Sequence, residues 1–345
     1  MRRTTRRECL RSAAAAALGL VSSRLLRGVT VEQKTWFTIA LGEYSFNTAY
    51  RAGQYDPLQL ASLTRNKFGL SAIDYVSSFW ADKAKDQNFL RELKKRASDN
   101  GIVNHIILVD LSGPQLGDLD ASRRNAAIHA HRPWLDVASF LGCSGIRVNL
   151  SGVGLNGFGS PGNKQAVLRS SVDGYGRLLE FARPHNLDVL VQNHMGYSCD
   201  PDWLVGVMRQ VNNKHAGIEA DPGHFQEVFA GVETDPKHLQ QIFSANKPRH
   251  QPAIKTGQSF DLYAGWAKIM PYAKAVNAKT HAFDARGDET TIDYRRILEI
   301  TKKAGYTGYV GIEWEPEGKG RQMSPTEGIE ATKALLRRHG GAAAS

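Results

Sequence analysis

Residues 187–194 read LDVLVQNH. Val189, Leu190 and Val191 read as a buried β-strand, and Gln192, Asn193 and His194 follow without a break. Three strongly polar side chains in a row are costly to bury unless each finds a partner. Either the chain reaches water there, or the end of the strand is built into a site. The answer depends on whether the same plan recurs elsewhere, and it does. Strand-like runs stand at 36–46 (WFTIALGEYSF), 70–78, 103–111, 144–152, 187–194, 217–225, 275–283 and 308–315 (GYVGIEWE). Amphipathic helical patterns lie between them, such as NFLRELKKRASDNG and DYRRILEITKKAG, and most stop at glycine or proline. A last one, PTEGIEATKALLRRHG, follows the eighth strand.

Eight strands, each followed by a helix, are the plan of a (β/α)8 TIM barrel. The doubly wound open sheet is the rival. It needs no eighth unit and usually carries a glycine-rich loop after its first strand, whereas here that strand runs into GEYSFN with no GxGxxG. The longest irregular stretch, about 226–257, contains KPRHQPAIKTG and is expected to rim the barrel mouth.

The chain has 345 residues and a formal charge of +10, which first suggests a nucleic-acid partner. Residues 1–30, however, hold seven arginines and one acid, so this segment supplies +6 of the +10. The rest is spread thinly, with no lysine and arginine block among aromatics, so no nucleic acid is expected. TRRECLR followed by SAAAAALGLV has the plan of a twin-arginine signal, its apolar run too short to span a bilayer. That implies an exported, periplasmic protein without a membrane span once residues 1–30 are removed, and a single barrel domain over 31–345. Of the three cysteines, Cys9 lies in the signal, while Cys143 and Cys199 pair only if the fold joins them. Without a CxxC, a cysteine zinc site is not expected.

In such a barrel the active site lies at the C-terminal strand ends. Polar residues at period two there are Glu43 on strand one, Arg147 and Asn149 on strand four, and Gln192 and His194 on strand five. Strand six offers Glu219, Asp221 and then His224, strand seven Lys279 and His281, and strand eight Glu313 and Glu315. Carboxylates and imidazoles converging from several strands need to pair or to bind a cation. A set of Asp, Glu and His without cysteine suits Mn, Mg, Co or Zn. Among the aromatics, Phe46 and Trp314 flank the ends of strands one and eight and are candidates to stack on a sugar ring.

GLSAIDYVS, LGCSGIRVN, VLVQNH, EADPGHF, AVNAKTHAFD and GYVGIEWEPEG resemble, in their order, the sugar phosphate isomerase/epimerase group of the xylose isomerase-like TIM barrels. The resemblance runs from about 36 to 338. It implies a divalent metal held by a Glu after strand five, an Asp after strand six, a His after strand seven and a Glu after strand eight. Asp221, His281 and Glu313 match that set, with Glu313 preferred to Glu315 because it lies inside the apolar run. At strand five this chain reads QNH where ENH is common, so Gln192 stands in for a glutamate as a weak fourth ligand. His224, in DPGH, matches the histidine that approaches the substrate.

The resemblance implies an enzyme that removes a proton alpha to the carbonyl of a small keto-sugar. Glu313 would be ligand and base, His224 acid or substrate contact, and Lys279 the partner of the developing oxyanion. Glu43, Phe46, Asn149 and Trp314 would contact the sugar. Gln192 cannot accept a proton at ordinary pH. Three readings follow: a one-base reaction with His194, His224 or Lys279 as second carrier, β-elimination from a keto-glycoside included; a carbohydrate-binding barrel without turnover; or a metal shifted onto His194. Two rivals fit less well. A zinc endonuclease of the same superfamily needs a histidine cluster at the strand ends, but His129 and His131 lie in a helical pattern. A glycosidase carboxylate pair leaves His281 and Lys279 without a role. A homo-oligomer stays open.

Overall fold

In the computed structural model the described residues are 35–150, 164–194, 196–225, 260–316 and 323–341. The predicted signal segment, residues 1–30, and most of the long irregular stretch lie outside them.

Eight strands form: β1 (Thr38–Gly42), β2 (Ala72–Val76), β3 (Val103–Leu108), β4 (Gly145–Val148), β5 (Asp188–Gln192), β6 (Ala216–Ala220), β7 (Ala273–Thr280) and β8 (Tyr309–Trp314). All pair in parallel in chain order, and β1 pairs with β8 to close the barrel. Short helical turns, Asn47–Arg51 and Leu60–Ser62, follow β1. The other strands are followed by α1 (Gln87–Asp99), α2 (Ala121–Leu141), α3 (Lys164–Ala182), α4 (Pro201–Val211), α5 (Leu262–Ile269), α6 (Tyr294–Lys303) and α7 (Pro325–Gly340).

The sequence starts these helices by one device. Asp86, Asp120, Asp200, Asp261 and Asp293 each accept first-turn backbone N–H groups of α1, α2, α4, α5 and α6. Ser324 and Glu327 close a capping box on α7. Apolar side chains on alternate strand positions, such as Ile73, Ile107, Ile146, Val189, Ile218 and Ile312, are fully buried in the core. Trp314 belongs to that layer: a Cβ on Gly328 of α7 would lie 2.1 Å from its ring, so only glycine lets helix and strand approach there.

The interior is polar where the sequence placed polar residues. Arg147 on β4 lies 2.6 Å from Asp110 and 3.3 Å from Glu219 of β6, and His105 lies 2.6 Å from Asp74 of β2. Cys143 and Cys199 are buried and unpaired with each other. Among the described residues no helix is long and apolar enough to cross a membrane.

Candidate active site at the C-terminal strand ends

β5 ends at Gln192, and its polar tail is consumed by the next strand. Gln192 Nε2 donates to Asp221 Oδ2 at 2.7 Å. Asn193 clamps the Asp221 backbone, donating to its carbonyl at 2.7 Å and accepting its N–H at 2.8 Å. The backbone N–H of His194 is taken by Ser198 Oγ at 2.9 Å. Gln192 and Asn193 are thus tied to Asp221 at the end of β6 and the His194 backbone to the turn after β5, which offsets much of the cost of burying them.

Strand seven supplies the centre. Lys279 stands opposite Glu313 in the register of β7 and β8. Its Nζ lies 2.6 Å from Glu313 Oε1, 3.3 Å from Glu315 Oε2 and 3.6 Å from Asp221 Oδ2. Two residues earlier, on the same face, Asn277 Nδ2 donates to Glu313 Oε2 and lies 3.2 Å from Asp221 Oδ2. Burial alone would lower the ammonium's pKa, but Glu313, Asp221 and Glu315 outweigh it and hold Lys279 well above the usual lysine range. Burial raises Asp221 to about 6, against the opposing pull of Lys279.

Two imidazoles lie beyond the strands. β6 ends at Ala220, and His224 sits on the single helical turn Pro222–His224 that Asp221 caps through Gly223 N–H. The rings of His194 and His224 meet edge to face at 4.4 Å. Burial, then the cations Arg147 and Lys279, push His194 down to about 3; His224 is driven well below the ordinary range by burial and Lys279. Both are neutral at pH 7. His281 follows the end of β7, its Nδ1 2.7 Å from the Glu315 carbonyl oxygen.

A cavity of about 250 Å³ opens here, lined by Gly223, His224, Lys279, His281, Thr291, Ile292 and Glu315. It falls just below the usual range of about 300–1,000 Å³ for small-molecule sites and suits a single small ring.

Of the residues singled out in the sequence, Gln192, Asp221, Lys279 and Glu313 come together at the centre, with His194 and His224 beside them. Four others stand elsewhere. Glu43 is fully buried and its carboxylate accepts from Val76 N–H at 2.6 Å, Tyr55 OH at 2.8 Å and Trp80 Nε1 at 3.2 Å, so it ties β1 to β2 rather than facing a ligand. Phe46 stacks on Tyr55 with ring centroids 5.3 Å apart. Trp314 alternates with Glu313 and so points away from the interior, into the layer beneath α7. Asn149 is half-buried, 3.4 Å from Asp110. Glu315, ranked below Glu313 in the sequence, lines the cavity, whereas Glu313 lies behind Lys279 and Asn277. Asn277 was missed. The signal for it was its period-two spacing from Lys279 in AVNAKTH.

The donor set does not fit a divalent metal. Asp221 Oδ2 and both Glu313 oxygens are taken by the amide NH2 groups of Gln192 and Asn277 and by the Lys279 ammonium, none of which offers a lone pair in its present protonation state, and Asp221 Oδ1 accepts from Gly223 N–H. Among the described residues no group of three or more His, Cys, Asp and Glu is arranged to hold a metal ion. His131, a member of the histidine set a nuclease would need, is buried in α2 with Nδ1 2.8 Å from the Ala127 carbonyl.

Comparison with known proteins decides the family, with a match to the xylose isomerase-like TIM barrel over residues 66–339. The chain belongs to that family. The α subunit of the 3'-dehydrocarminate deglycosidase of a Microbacterium species is 33% identical over 73 residues, 21% of this chain. The match thus spans only about a fifth, 21%, of that relative's own length. Among solved structures, the 3-keto-D-glucoside 4-epimerase of E. coli shares the fold at TM-score 0.54 and 13% identity, covering 88% of this chain and 100% of that one. A xylose isomerase-like TIM barrel of Mycobacterium smegmatis, in complex with magnesium, does so at TM-score 0.55 and 16% identity, covering 87% and 96%.

Proposed function

We propose that this xylose isomerase-like barrel moves a proton at the carbon beside the carbonyl of a small keto-sugar, as an isomerase or epimerase. The observation that carries this reading is the Lys279 ammonium, held charged by Glu313, Asp221 and Glu315 and opening onto a cavity that fits one sugar ring. A preorganised cation in a low-dielectric pocket is the group that stabilises an enediolate.

The ketone oxygen accepts a hydrogen bond from Lys279 Nζ. The Glu315 carboxylate, which lines the cavity, removes the α-proton, and the electron pair of the broken C–H bond moves onto the carbonyl oxygen beside Lys279. His224, neutral and with Nε2 3.4 Å from Asp221 Oδ2, is the second proton carrier. Return of a proton to the former carbonyl carbon, with the hydroxyl proton of the α-carbon passing to the former carbonyl oxygen, isomerises the sugar, and return to the opposite face of the α-carbon epimerises it. Glu313 and Asp221 serve as the counter-charge that keeps Lys279 protonated.

The similarity to a deglycosidase subunit named for a dehydro-glycoside supports a second outcome of the same proton removal: expulsion of a β-substituent from the enediolate. Incubation of keto-sugars and keto-glycosides in D2O, followed by NMR, tests both. Deuterium at the α-carbon without loss of the aglycone marks isomerisation or epimerisation, and release of the aglycone marks elimination. No exchange with any keto-sugar, in a protein that still binds one, refutes the catalytic reading and leaves a carbohydrate-binding barrel. Residues 1–30 support export of the chain, which fusion of that segment to a periplasmic reporter tests.

A further inference from the structure

We propose that Lys279 is an internal cation standing where a divalent metal would have to sit to be shared by Asp221 and Glu313, so that this site is built to exclude a metal. Nζ lies between the two carboxylates, 2.6 Å from one and 3.6 Å from the other. A metal bridging them needs the same space. Asp221 Oδ2, which faces Lys279, also accepts from Gln192 Nε2 and Asn277 Nδ2 and lies 3.4 Å from His224 Nε2, while Asp221 Oδ1 accepts from Gly223 N–H and Glu313 Oε2 from Asn277 Nδ2. One of the residues on which the metal expectation rested, Gln192, is thereby reassigned. It carries no charge and spends its amide N–H on the acid that it would have joined as ligand.

A second observation is independent of these hydrogen bonds. The stem of Lys279 runs across Gly223, where an added Cβ would stand 2.6 Å from Lys279 Cδ. The turn D-P-G-H that carries Asp221 and His224 is thus shaped around an extended lysine. The Lys279 carbonyl is also gripped from α6, by Tyr294 OH at 2.5 Å. A lysine that merely filled a vacated pocket would not need a glycine beneath its stem.

The exclusion is one of position, since one ammonium among three carboxylates still leaves net negative charge. A divalent ion shared by Asp221 and Glu313 would meet that ammonium at contact distance, so metal and ammonium exclude each other. The assignment does not rest on the reaction proposed above, because metal content reads it whether or not a keto-sugar is turned over.

The test uses the full-length chain, purified without chelator, with metal content by inductively coupled plasma mass spectrometry and Mn2+ binding by calorimetry. Wild type is expected to carry far less than one metal per chain, with a melting temperature indifferent to EDTA and to added Mn2+. Lys279→Met uncovers the carboxylates and is expected to bind Mn2+ at least about a hundredfold more tightly than wild type. That binding is lost again when Asp221→Asn is added. Lys279→Arg keeps the charge and is expected to stay metal-free. Stoichiometric metal in the wild type, lost in Asp221→Asn, overturns the proposal, as does a folded Lys279→Met that binds no Mn2+. Should Lys279→Met fold neither alone nor with Mn2+, the wild type and Lys279→Arg decide: both metal-free and EDTA-insensitive supports it, and either one metal-loaded overturns it.

Discussion

Glu43→Gln separates a structural carboxyl from a substrate contact and tests how burial balances hydrogen bonding. The Glu43 side chain receives three donors, which favour the anion, yet burial outweighs them and raises its pKa from 4.5 to about 7. The sign follows from proton counting. Between pH 4.5 and 7 the folded state holds more protons at this site than the unfolded chain, so this group's contribution falls as pH rises. It is fully present below the unfolded value and lost by about pH 8. One unit corresponds to about 1.4 kcal/mol, so the change between pH 5 and 8 is roughly 2–3 kcal/mol. For a barrel of about 300 residues that corresponds to roughly 4 °C in melting temperature. Glutamine keeps the shape, accepts from Val76 and Trp80, and cannot ionise. Urea unfolding of both proteins across this range is expected to show Glu43→Gln gaining on wild type by that amount as pH rises. A flat difference, or one in which the variant loses ground toward pH 8, refutes the claim that burial beats the donors. Turnover of any keto-sugar substrate is expected to stay within about threefold of wild type; a large rise in KM would return Glu43 to the binding site.

Other substitutions probe the site and its support. Glu315→Gln is expected to lower kcat about a hundredfold or more with little change in KM, as loss of a general base does, and to abolish α-deuterium exchange. Arg147→Met removes the guanidinium that holds the Asp110 carboxyl below its usual range against burial, beside a Glu219 that burial already raises to about 8, and is expected to destabilise the fold by about 3–5 kcal/mol in chemical denaturation at neutral pH. Gly328→Ala drives a methyl into the Trp314 ring and is expected to cost about 1–3 kcal/mol by the same assay. An undiminished melting temperature would mean that α7 and β8 are packed differently.

The barrel was legible in the chain itself. Strand periodicity and helix stops are local, and each states its element without help from the rest. The strand ends were legible too, because an apolar run closing in QNH or ADPGH announces polar groups that need partners. In β7 the polar stretch extends one residue beyond the strand, and period two alone could not tell that the strand stops at Thr280 and leaves His281 past its end. Likewise Trp314 and Glu43 looked like rim residues because their neighbours were.

The sequence by itself determined eight βα units, a barrel, and a site on β5 to β8 that contains Gln192, Asp221, Lys279 and Glu313. Only the tertiary structure decided who pairs with whom among them. Hydrogen bonding is directional and short-ranged, so whether a carboxylate faces a metal or a lysine depends on register and on a few ångströms of side-chain reach. The register places Lys279 opposite Glu313, and Gly223 clears the path for its stem. Neither fact can be read from spacing along one strand, because both arise from contacts between strands and loops that the chain brings together only on folding.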